Sequence, residues 1–128
     1  MQLPQPPIGA FPPTGYRPSA EFLALLNTAL NQSDVFLRTI ESHVNQMVQG
    51  YQFQAEARQF RSNLLVLNQR VREGAPRREI EAALNGALRS SRVISTRIGA
   101  LVGGRGGPVI NQFRAAEQMV GQLSQVLR

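Results

Sequence analysis

The sequence predicts an all-α protein, an antiparallel up-down-up-down four-helix bundle preceded by an extended Pro-rich N-terminal arm. Three observations carry that expectation. Ala, Leu, Gln, Arg and Glu are plentiful, aromatic residues make up only 6% of the chain and Trp is absent, which is the alphabet of helix formers. Apolar residues recur at helical spacing in four separate stretches, which places them on one face of each helix. The stretches are parted by Gly and Pro with few residues between, so successive helices run antiparallel. At 128 residues and 42% hydrophobic content the chain supports one domain with a modest core.

Residues 1–18 contain six of the eight prolines, which deny helix and sheet and favour an extended arm or linker. A ligand for a proline-binding domain is the sharper reading of this arm. A tail laid on the bundle through Leu3, Ile8, Phe11 and Tyr16 is the simpler one, and it is preferred because such motifs are loose. Residues 19–128 form the bundle, with helices expected at about 19–49, 52–73, 76–102 and 108–127.

The first helix starts at Ser19, an N-cap just after Pro18, with Glu21 in the first turn where the helix dipole favours an acid. A heptad assignment puts Leu23, Leu30, Leu37 and Val44 at position a and Leu26, Ser33, Ile40 and Met47 at d. Phe22, Ala29 and Phe36 broaden the stripe on the g side. So wide a face addresses a core, not one coiled-coil partner. The polar run Asn31, Gln32, Ser33, Asp34 leaves the heptad phase unchanged, so the helix continues through it. Asp34, Arg38 and Glu41 form an ion-pair ladder on its outer side, and Gly50 ends it. Roughly thirty residues at ~1.5 Å each would outreach the second and fourth helices. The overhang, near Phe22, Leu23, Leu25 and Leu26, is where the arm is expected to fold back.

The second helix carries Phe53, Ala57, Phe60, Leu64, Leu67 and Val71, and Gly74 terminates it. The third opens with Pro76 in its first turn and carries Ile80, Leu84, Ala87, Ser91, Ile94, Ile98 and Leu101. A glycine-rich loop, GGRGGP, then leads to the fourth helix, opened by Pro108, with Val109, Phe113, Ala116, Val120, Leu123 and Leu127. Ser33 and Ser91, with Ala29, Ala57, Ala87 and Ala116, thin the core near mid-bundle. Close approach of the helices is expected there in preference to a cavity for an apolar ligand.

All fourteen basic residues are Arg, giving a net charge of +6, and Asn plus Gln number twenty. Designed bundles favour Glu and Lys on their surfaces, so the sequence reads as natural and bacterial. The basic excess lies late: two Arg face three acids in residues 1–50, and twelve face five in residues 51–128. No apolar run is long enough to span a membrane. The absence of Cys excludes disulfides, thiolate metal sites and covalent haem. It permits export, which is favoured over a cytoplasmic setting because the arm resembles a linker left after signal cleavage.

No residue set carries recognisable chemistry, and no motif ties the chain to a family. His43, the single histidine, would need Met47 or Met119 as a second axial ligand to hold haem, and an ordinary place at the bundle edge is the simpler reading. A di-iron site needs Glu-x-x-His pairs that are absent. A hydrolytic triad lacks an acid beside His43, and a phosphate-cradling loop lacks its Lys. The chain is therefore expected to be non-enzymatic, with no cofactor and no metal.

Two binding readings remain. Leu64, Leu65, Val66 and Leu67 make one helical turn that is apolar all round, and Leu65 and Val66 fall off the core stripe. With Val93 or Ile110 they would form a patch for a protein partner or a second copy of the chain; the simpler reading makes them edge residues of a broad core face or has the N-terminal arm cover them. Alternatively Arg58, Arg61, Arg72, Arg89 and Arg92 would bind nucleic acid or another anionic polymer. That reading is not favoured, because these residues are scattered around two helices and the lone RGG at Arg105 is not repeated. The expected function is a structural or protein-interaction module.

Overall fold

The structure is a computed structural model that describes residues 17–46, 49–100 and 107–127. Four helices account for nearly all of them: α1 (Ala20–His43), α2 (Gly50–Arg72), α3 (Arg77–Ala100) and α4 (Gly107–Leu127), with one turn of 3-10 helix at Val44–Gln46. α1 packs most closely on α4 and α2 on α3, α1 also packs on α2, and the α3–α4 seam is the most open. No diagonal pair approaches at the backbone among the described residues. This is the expected antiparallel four-helix bundle. The residues that hold most of the arm, the glycine-rich loop, Leu101 and Met47 lie outside the described residues, and so does the expected fold-back of the arm.

Local chemistry explains each helix end. Ser19 is the N-cap of α1, its hydroxyl oxygen accepting the Phe22 N–H at 3.1 Å. α2 ends in a Schellman motif. Gly74 sits at φ +68°, its N–H donates to the Val71 carbonyl at 3.1 Å, and the Ala75 N–H reaches the Arg70 carbonyl at 3.0 Å. Pro76 lies one residue outside α3 instead of in its first turn: its carbonyl accepts from Ile80 N–H at 3.2 Å, the role of an N-cap.

The first helix corrects the expectation in three ways. It stops at His43 and not at residue 49, and Gly50 belongs to the start of α2. The reversal needs a left-handed residue, which is Gln49 at φ 55°, while Gly50 is buried where a Cβ would run into the Val44 backbone carbonyl. With 24, 23, 24 and 21 residues the helices are nearly equal in length, so the expected overhang of the first is absent. The buried stripe is also rotated: Phe22, Ala29 and Phe36 are buried with Leu26, Ser33 and Ile40, whereas Leu23 is 45% exposed and Leu30 only half-buried. Positions g and d face inward because α1 leans on α4, and of position a Leu37 stays buried while Leu23 and Leu30 fall toward the α2 edge.

Downstream the periodicity holds. Every expected core residue of α2 is buried except Val71, which packs at the rim, and those of α3 through Ile98 and all of α4 are buried. Phe36, Phe53, Phe60 and Phe113 form a chain of rings linking α1, α2 and α4, with centroids 5.4–6.2 Å apart in tilted and edge-on geometry. Each such ring contributes roughly 1.5–3 kcal/mol by burial alone. Ser33 and Ser91 are buried but self-satisfied, donating to the Leu30 and Leu88 carbonyls at 2.8 and 2.7 Å. A short buried serine thus costs the core little.

Candidate interaction surface

Two pairs of contacts fix the register around α2. Toward α3, Arg97 meets Glu56 and, seven residues earlier, Ser90 meets Asn63 seven residues further along α2. Toward α1, Arg61 meets Asp34 at 3.4 Å and Gln54 meets Glu41 at 3.3 Å, again seven against seven. The α2 residues that face α3 are therefore Glu56 and Asn63, and those that face α1 are Gln54 and Arg61.

The first of these seams is strongly built. Arg97 forks onto Glu56 through Nε and Nη2 at 2.5 and 2.6 Å, and its Nη1 donates to the Gln49 side-chain oxygen at 2.5 Å. The pair is about four-fifths buried. Its hydrogen bond to Glu56 raises the Arg97 pKa above the ordinary guanidinium value, against the opposing effect of burial. Asn63 donates to the Gly86 carbonyl at 3.1 Å and to the Ser90 hydroxyl, and accepts from Gln59 at 3.1 Å.

On this frame the candidate patch divides. Leu65 and Val66 are 42% and 39% exposed, but consecutive helical residues diverge by about 100°. Val66, one turn beyond Asn63, flanks the α2–α3 seam, whereas Leu65 turns toward α1 at the level of Leu30. Val93, one turn beyond Ser90 and 51% exposed, flanks the same α2–α3 seam from the other side. Ile110 does not join them. It packs against the core on α4, whose backbone does not approach α2.

The arginines divide as well. Arg58 pairs with Glu41 at 3.2 Å and Arg61 with Asp34, both across the α1–α2 seam. The expected ladder on α1 is accordingly half formed: Arg38 pairs with Asp34 at 2.9 Å, while Glu41 serves α2. Arg72, Arg78, Arg89 and Arg92 have no ion pair among the described residues. The helical period brings Arg78 and Arg89 to the outward side of α3 and turns Arg92 toward α4, on the face shared with Glu81 and Asn85.

The residues weighed for catalytic or metal chemistry lie apart among the described residues. His43 is exposed, its Nδ1 2.9 Å from the Thr39 carbonyl of its own helix. The ring pair Phe36–Phe113 sets Met119 about thirteen residues of α1 away from His43, ~20 Å along the axis. Among the described residues no group of three or more His, Asp or Glu is placed to hold a metal ion. A half-open cleft of about 200 Å³ lies on the α3–α4 seam between Glu81, Leu84, Asn85, Ser124 and Leu127. Arg77 bridges that end, pairing with Glu81 and donating to the Leu127 carbonyl at the C-terminus of α4. No helix among the described residues is long and apolar enough to cross a membrane. Compared with protein-family models, curated protein sequences and solved structures, the chain has no match.

Proposed function

We propose that this chain is a non-enzymatic helical module that binds another protein surface through the outer side of α2 and α3. The observation that carries the reading is the exposure of Val66 and Val93 on the two sides of one seam. An aliphatic side chain left in water forfeits roughly 1.5–3 kcal/mol available from burial, and paired exposure along a seam is how a docking patch begins. The seam beneath is rigid, held by Arg97, Glu56, Asn63 and Ser90, so docking requires little ordering of the module itself. Leu65 lies apart from this surface, on the α1 side of α2.

Pairing with a second copy is tested first, by light scattering of the wild type beside Val66→Glu and Leu65→Glu over a range of concentrations. A mass above one chain that falls in the variants supports it, whereas a single-chain mass throughout rejects it and leaves a foreign partner. Binding of nucleic acid or another anionic polymer is the second reading, supported by Arg72, Arg89 and Arg92, which have no ion pair among the described residues. A gel-shift titration against salt decides it: affinity should fall steeply as salt rises, and no shift at low salt rules it out. We place the protein in an exported bacterial setting on its composition and its linker-like arm, and a full reading frame with no signal segment upstream would refute that placement.

A further inference from the structure

The α1–α2 seam leaves apolar surface uncovered toward the end where α1 begins. The contacts of Arg61 with Asp34 and of Gln54 with Glu41 set these antiparallel helices in register. Continued toward the start of α1, that register puts Leu30 level with Leu65, Asn27 with Asn68 and Leu23 with Arg72. Leu23 and Leu65 are 45% and 42% exposed, and Leu30 is half-buried. Each lies beside the core stripe of its own helix, on the side turned to the other helix. The side-chain amides of Asn27 and Asn68 make no hydrogen bond among the described residues. Leu23 and Leu30, two turns apart at ~10.5 Å, thus flank a pair of amides that have no side-chain partner, and Leu65 stands across from Leu30.

We infer that this seam seats the chain's own N-terminal arm, with Phe11 on Leu23 and Ile8 on Leu30 and Leu65. The contact goes beyond the docking surface proposed on α2 and α3 and lies on the other side of α2. The point where the arm joins the bundle favours it: the described chain begins at Arg17, and Ser19 caps α1 one turn before Leu23. Sixteen residues precede Arg17 and none of them is charged, so apolar contacts and hydrogen bonds are what hold the arm to a surface. In polyproline conformation residues 8 and 11 are one turn apart on the same side, ~9 Å, close to the spacing of Leu23 and Leu30. Residues 12–18 give Phe11 enough chain to turn back over α1, and Gly15 among them permits the reversal. Proline-rich backbone presents carbonyls with few N–H groups of its own, which suits the amide donors of Asn27 and Asn68. A free partner is a poor occupant. Three leucines fall far short of the ~800 Å² per side that a stable interface buries, whereas a tethered segment meets the seam at an effective concentration of millimolar order.

The chain has no Cys, so introduced thiols report without interference. Ala10→Cys/Leu65→Cys and Ala10→Cys/Val93→Cys, which keep Ile8 and Phe11, are oxidised at low protein concentration and followed by non-reducing electrophoresis. Circular dichroism confirms that each variant is folded. A single-chain disulfide should form about tenfold faster or more to position 65 than to position 93. Adding Ile8→Asp/Phe11→Asp should remove that preference. In Leu65→Cys alone, the same two arm substitutions should speed maleimide labelling several-fold, while labelling of Val93→Cys stays unchanged. Equal disulfide rates to the two positions overturn the inference, and so does a preference for position 65 that survives Ile8→Asp/Phe11→Asp. Disulfide-linked dimers through position 65 in place of single chains assign the seam to the arm of a second copy and overturn it as well. Each of these results leaves the docking surface at Val66 and Val93 to its own test.

Discussion

Gly50 and Gly74 are both turn glycines, yet they answer different physical demands. At Gly74 the backbone is left-handed, at φ +68°, and the space around it is open. Replacing it with Ala should cost only the conformational penalty, about 1 kcal/mol. Gly50 has ordinary helical backbone, but any side chain there meets the Val44 carbonyl, a backbone atom that cannot rotate aside. Gly50→Ala should therefore cost more, about 2–3 kcal/mol, and lower the thermal midpoint further than Gly74→Ala. Equal midpoints for the two variants would show that the Val44–Gln46 turn yields easily. Only Gly74 was assigned correctly from its place after the apolar stripe. The crowding at Gly50 comes from a turn whose path the local sequence does not dictate.

At the scale of the helix, side-chain contacts between elements do more than the ladders within them. Arg38–Asp34 and Arg114–Glu117 are exposed pairs along single helices, the kind worth a few tenths of a kcal/mol. Arg97, by contrast, fastens the end of α3 to the start of α2 through Glu56 and Gln49, with little exposure. Arg97→Ala should destabilise the bundle by about 2 kcal/mol in urea denaturation. Arg97→Lys should recover only part of the loss, since an ammonium group cannot match both Glu56 oxygens and Gln49 at once. If Lys restores full stability, the fork geometry contributes nothing and charge alone suffices.

For the molecule as a whole, the core is graded along its axis. Four Phe rings link three helices, while small residues allow close packing nearer the middle. The register set by Phe36 and Phe113 puts Ala116 level with Ser33, and the α2 contacts put Ser33 level with Ser91 through α2. All three are buried. Ala116→Leu should therefore overpack this level and cost about 2 kcal/mol, measured by chemical denaturation; a gain in stability would reveal a void there and revive the apolar-ligand reading. The open α3–α4 seam breaks the symmetry of the bundle, and it lies away from the face to which the exposed valines belong.

Helical periodicity and short Gly/Pro breaks were enough to determine the class, the number of helices and almost every core residue of α2, α3 and α4, because a 3.6-residue period written in Leu, Phe, Ile and Val has one stable solution in water. They were not enough for α1. Its apolar stripe is wider than one contact face, and only packing against α4 decides that Phe22, Ala29 and Phe36 turn inward and Leu23 outward. The candidate surface was partly legible. Leu65 and Val66 stood out as apolar residues off the stripe, but two neighbours on a helix point in different directions, and which seam each borders depends on the neighbouring helices. The charge was least legible of all. Twelve arginines in residues 51–128 look alike in sequence, and only tertiary contacts, by setting Asp34, Glu41 and Glu56 against Arg61, Arg58 and Arg97, leave Arg89 and Arg92 with no ion pair among the described residues.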